Sequence, residues 1–123
     1  MPFREVHAHL VDIREGIDNI DSFVKEMDFD AYHADLKTRS AVEGQLQIIS
    51  EAAVRLKDEG ERLCPGIDWK GLCGMGNVLR HGYHKVEDRI VWDAVKFDLP
   101  LPKACVDRVL NTPATDSAGP ALG

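Results

Sequence analysis

The 123-residue sequence is short of cysteine: Cys64, Cys73 and Cys105 are an odd number, widely spaced, and no two form a Cys-x-x-Cys pair. That pattern gives neither a disulfide framework nor a zinc knuckle, and it suits free thiols in a reducing, cytoplasmic setting. Long hydrophobic runs are missing too. The uncharged stretches fall far short of the ~20 apolar residues a membrane span needs, so a soluble protein with no membrane partner is expected. The opening stretch, MPFREVHAHLVDIREG, sets Arg4, Glu5 and Asp12 where a secretory leader requires an unbroken apolar core, which argues against export.

Several chemical signatures are absent as well. Neither nucleotide-loop fingerprint, Gly-x-x-x-x-Gly-Lys-Ser/Thr or Gly-x-Gly-x-x-Gly, occurs. No Glu-x-x-His pair is present, and His7 and His9, two apart, point to different helix faces, so neither a bound metal nor a cofactor is expected. Cys73 and His81 are eight apart on one helix, too distant for a thiolate pair. No run alternates apolar and polar residues as a half-buried strand would, and no repeat period is visible.

Helical periodicity takes their place. From about Arg4 to Met27, Leu10, Ile13, Ile17, Ile20, Val24 and Met27 recur at intervals of three and four, the stripe of an amphipathic helix. After an interruption at DFDAYHAD, a second helix carries Val42, Leu46, Ile49, Ala53 and Leu56, with Asp35 or Thr38 as its cap and an end near Glu59-Gly60. Asp68 caps a third from Trp69, whose apolar side comprises Trp69, Leu72, Met75, Leu79 and Tyr83. A fourth is predicted over Glu87–Phe97 and a fifth over Pro102–Leu110, with prolines in its first turn. The expected fold is an all-α, antiparallel up-down bundle of four to five helices spanning 1–110, followed by a disordered tail at 111–123. Helices this amphipathic in so small a bundle leave apolar surface that a second copy covers, so a homodimer is the default.

The formal charge of −6 argues against a generally basic, nucleic-acid-coating surface. Its distribution is uneven. Trp69 to Val86 contains no acidic residue while Lys70, Arg80 and Lys85 give it +3, which leaves −9 on the rest of the chain (−6 minus +3). On the third helix Lys70, Gly74, Asn77 and His81 share one polar face. Gly71, Gly74 and Gly76 each weaken that helix by about 1 kcal/mol relative to alanine, which either lets a neighbouring helix pack closely or admits a substrate phosphate. Imidazole exchanges a proton near neutral pH, so His81 beside a fixed cation, Arg80 or Lys85, has the parts for metal-free RNA cleavage, in which the 2′-hydroxyl is the nucleophile. The plainer reading makes His81 and His84 solvated helix-end residues favoured by the dipole, and Tyr83 a half-buried anchor.

The succession DLKTRSAVEGQLQIISEAAVRL, CPGIDWKGLCGMGNVLRHGYHKVEDRIVWDAV and DLPLPK resembles the HepT-like family of HEPN-domain proteins across almost all of residues 7–110. The resemblance implies a HEPN-like helical bundle, homodimeric, with two active-site motifs facing each other across a cleft. It also implies a metal-independent ribonuclease toxin, neutralised by a minimal nucleotidyltransferase antitoxin of the MNT type. In the family's signature an arginine is followed by asparagine, then by histidine a few residues on and, after one more residue, tyrosine. Carried over, Asn77 matches the asparagine, His81 the catalytic histidine and Tyr83 the tyrosine that receives AMP. Lys70, His84 and Lys85 are then the RNA-binding residues. The arginine's place is taken by Gly76, and Arg80, one helical turn later, is the nearby cation. Two readings follow: an endoribonuclease in which Arg80 supplies the charge, or a dimeric binding protein that engages a nucleotidyltransferase or RNA without cutting.

Overall fold

A computed structural model describes residues 1–81 and 87–112. Seven α-helices follow one another: α1 (Phe3–Phe23), α2 (Phe29–Ala34), α3 (Leu36–Leu56), α4 (Asp58–Leu63), α5 (Trp69–His81), α6 (Asp88–Asp93) and α7 (Pro100–Asn111). A π-helical turn over Ala94–Asp98 leads α6 into α7, and no strand occurs among the described residues. The all-α class is as expected. Four long helices, α1, α3, α5 and α7, form the bundle, and three short ones raise the count beyond four or five.

α1 and α3 are the central pair, each 21 residues and about 31 Å long. Val6, Leu10, Ile13, Ile17 and Ile20 of α1 and Val42, Leu46, Ile49, Ala53 and Leu56 of α3 are buried in one core. Each of the larger side chains gains roughly 1.5–3 kcal/mol by leaving water. The helices close on one another at Gly16, where a Cβ would fall 2.6 Å from Ile49 Cγ1. Asn19 Nδ2 donates to Gln45 Oε1 at 3.2 Å. Position 16 thus faces 49 while 19 faces 45, so the two helices run antiparallel. α5 packs on α3 and α7 on α1. No described helix is long and apolar enough to cross a membrane.

The short helices correct the sequence reading. DFDAYHAD is not a plain interruption but contains α2, six residues long, too short for a 3.6-residue period to show. Asp28 Oδ1 accepts from Ala31 N–H at 2.8 Å, and Tyr32, fully buried, sets its ring 5.2 Å from that of Trp92, anchoring α2 on α6. The Tyr32 hydroxyl has no partner among the described residues, and burial pushes its pKa up. α3 ends at Leu56 rather than near Gly60, because Lys57 turns the backbone to φ 52° before α4 begins.

The cysteines correct it further. Cys64 and Cys105, both buried, form a disulfide with Cα atoms 6.0 Å apart, and Cys73 alone is free. Their separation of 41 residues hides in sequence a pair that the bundle brings together. The argument from free thiols to a reducing compartment loses two of its three cysteines. α7 runs to Asn111, and residues 113–123, most of the tail expected to be disordered, lie outside the described residues.

Candidate active site on α5

α5 starts where Asp68 Oδ1 accepts from Gly71 N–H at 2.9 Å, as its capping role predicts. The indole N–H of Trp69 donates to the Cys64 carbonyl at 2.9 Å, which fixes the helix's first turn to the preceding corner. Trp69, Leu72, Gly76 and Leu79 are its buried residues. Met75 is half-buried against the same core, as the spacing predicts, and Gly76 is buried within the stripe as well. Lys70, Gly74, Asn77, Arg80 and His81 are all exposed, with Val78 among them, so the polar face forms as the spacing predicts.

The three glycines have different surroundings. Gly71 makes room for its own cap, since a Cβ there would collide with the Asp68 carboxylate. Gly74 faces open space, with nothing within 4 Å of an added Cβ. Gly76 is a close approach to α3. Its N–H donates to Ser50 Oγ at 2.9 Å, and that hydroxyl donates to the Cys73 carbonyl at 2.9 Å. A Cβ on Gly76 would lie 2.6 Å from Ser50 Oγ, 3.0 Å from Ser50 Cβ and 3.1 Å from Arg80 Nη1.

The last of those distances bears on the chemistry. Arg80 does not reach away from the helix but folds back one turn, so that its guanidinium occupies the space in which a side chain at position 76 would start. Long helical side chains lean toward the N-terminus in this way. No carboxylate pairs with Arg80 among the described residues, and none is present on α5, so the charge is available to an anion. His81 follows directly as the last residue of α5. Asn77 and His81, four apart, share the exposed face. The helix C-terminus favours the Arg80 charge, an effect that accompanies the site rather than replacing it. Tyr83, His84 and Lys85 lie outside the described residues.

Beyond the gap, Asp88 at the start of α6 is fixed from two sides. His33 Nδ1 lies 2.6 Å from Asp88 Oδ2, and Arg39 Nε 3.5 Å from the same oxygen. Arg39 also donates to the His33 carbonyl. This ties α6 to the α2–α3 corner, and Glu43 nearby has its pKa raised by burial and by the charge of Asp88. Burial likewise pushes the Cys73 thiol up, a poor setting for a nucleophile. Among the described residues no three His, Cys, Asp or Glu side chains come together as metal ligands.

Sequence reasoning missed Ser50. It is the one buried polar side chain in the described core, embedded in the apolar run IISEAAV. The available signal was a small hydroxyl residue beside Ile49 on a buried face, matched by a glycine on the helix that follows.

The family model for HepT-like ribonucleases matches residues 13–109, the span from the middle of α1 to the last turn of α7. A protein of Thermococcus cleftensis named "Probable ribonuclease HepT" is 36% identical over 101 residues, 82% of this chain and 92% of its own. Two Methanocaldococcus jannaschii proteins named as RNases are 35% identical over 100 residues and 32% over 109, covering 81% and 89% of this chain and 83% and 100% of theirs. No solved structure is significantly similar. A family match that takes in half of α1, all of α3 and α5 and the Asn77–His81 face makes this chain a member of the HepT-like ribonuclease family.

Proposed function

We propose that the chain is a metal-independent endoribonuclease in which His81 transfers protons, Arg80 stabilises the phosphorane-like transition state and Asn77 orients the scissile phosphate. The observation that carries this reading is the Arg80 guanidinium seated over Gly76. The cation sits beside the position at which family members usually carry their arginine, so the charge is retained although the residue has moved. In the reaction the RNA 2′-oxygen bonds to the adjacent phosphorus as His81 takes its proton. The bond from phosphorus to the 5′-oxygen breaks, and that oxygen leaves with the proton that His81 took up. Arg80 meets the extra charge on the pentacoordinate phosphorus at the moment it develops. Lys70, His84 and Lys85 hold the flanking RNA backbone.

The same reading extends to partners. Two copies face each other through α5, whose exposed Val78 and open Gly74 leave that face uncovered within one copy. The partner antitoxin is an MNT-type nucleotidyltransferase that places AMP on Tyr83, adding bulk and negative charge beside His81 and so excluding RNA. The action takes place in the cytoplasm, as one half of a toxin–antitoxin pair.

The test is cleavage of RNA by purified protein in excess chelator, alongside His81→Ala and Arg80→Ala. A loss of about 10²–10⁴-fold is expected for removal of the proton-transfer group and about 10²–10³-fold for removal of the charge. Equal activity in all three preparations identifies a contaminating nuclease and overturns the reading. Tight RNA binding without cleavage supports the binding-protein alternative.

A further inference from the structure

We infer that Ser50 and Gly76 are a pair of positioning residues that hold the Arg80 guanidinium in its seat. This rests on the proposed role of Arg80. The Ser50 hydroxyl inserts between the Cys73 carbonyl and the Gly76 N–H, bonding to both at 2.9 Å. Those two groups are one 3₁₀-type turn apart on α5, so the bridge fixes both the height and the rotation of α5 on α3 at this level. Ser50 is 1% exposed, so the bridge is buried between α3 and α5. The rotation places Gly76 against α3 with its missing side chain replaced by two occupants, Ser50 on the inner side and Arg80 Nη1 on the outer. A methyl at position 76 would meet Ser50 Oγ at 2.6 Å and the guanidinium at 3.1 Å. Relieving those contacts breaks the Ser50 bridge, and with it the register of α5 on α3, or displaces the guanidinium from its place over position 76, so that Arg80 loses the seat that fixes it relative to the Asn77–His81 face.

Three consequences separate this pair from a simple packing contact. Gly76→Ala and Ser50→Ala move the Arg80 side-chain Nε–H resonance in a ¹⁵N spectrum, whereas Gly74→Ala, which adds a methyl to open space on the same helix, does not. In cleavage, Gly76→Ala lowers kcat at least tenfold with KM changed less than threefold, because binding of the RNA backbone is kept while the transition-state charge is misplaced. Free guanidinium at millimolar concentration restores activity to Arg80→Ala by filling the vacated seat, and fails to restore the Arg80→Ala/Gly76→Ala double variant.

An unmoved Arg80 resonance in both Gly76→Ala and Ser50→Ala overturns the inference, whatever the activity. Equal guanidinium rescue of the single and double variants overturns it as well. If Arg80→Ala cleaves as fast as the unaltered protein, the catalytic role of Arg80 fails instead, and the resonance shifts still decide whether the seat exists.

Discussion

At the scale of single residues, position 76 is where two elements and one side chain converge: Gly76 lies against Ser50 of α3 and under Arg80 of its own helix. The string shows Gly76 where the resemblance leads one to expect an arginine and, four residues on, Arg80 as the nearby cation. It cannot show that the guanidinium of the second lies over the first. Only the packing of α5 on α3 does that, through a serine 26 positions earlier. The exposed stripe of Lys70, Asn77 and His81, by contrast, was fully legible, because spacing along one helix fixes a face without help from any other element. Lys57 illustrates a residue whose strain is invisible in sequence. With φ 52° it holds a conformation that side chains resist and glycine accepts. Lys57→Gly is therefore expected to raise stability by up to about 1 kcal/mol, seen as a higher urea midpoint with an unchanged slope. A lower midpoint would show that the lysine side chain does more than bear the turn.

At the scale of elements, the long helices were legible and the short ones were not. α1 and α3 present five or more apolar positions on one face, enough for a period to emerge. α2 and α4, at six residues each, are too short for a period to emerge; α2 owes its start to the Asp28 cap and its place to docking on α6, while α4 begins at the Lys57 turn with no side-chain cap. Asp35 is the hinge between the two kinds: its backbone N–H ends α2 on the Tyr32 carbonyl while its carboxylate accepts from the N–H and the hydroxyl of Thr38 to start α3. Those hydrogen bonds hold its pKa below the usual carboxylate value. A depressed folded-state pKa contributes stability above the unfolded-state value of about 4 and loses it as pH falls through the folded-state value. Asp35→Ala should thus cost stability at pH 7, with the gap to the unaltered protein narrowing as the solution is acidified below about pH 4. Urea midpoints across pH measure this, and a gap independent of pH would remove the carboxylate from the explanation.

At the scale of the whole molecule, the charge is divided along the sequence: the acid-free segment Trp69–Val86, which contains α5, carries +3 and the rest −9. The fold class and the HepT-like membership were both legible, because an ordered succession of caps, turns and stripes leaves few alternatives. The cross-link was not, since nothing local distinguishes Cys64 and Cys105 from Cys73. By chain entropy, closing 41 residues constrains the unfolded chain by about 4 kcal/mol at 25 °C. Reduction, or Cys64→Ser, should lower stability by that order, and an unchanged midpoint would show that the bond contributes nothing. Its further consequence is topological. The bond makes a covalent ring of residues 64 to 105, and α5, Arg80, His81 and Tyr83 all lie on the ring while α1 and α3 lie on the arm that precedes it. A protease cut anywhere on the ring opens it without releasing a fragment, so a nicked protein migrates as one chain until a reductant separates it into two.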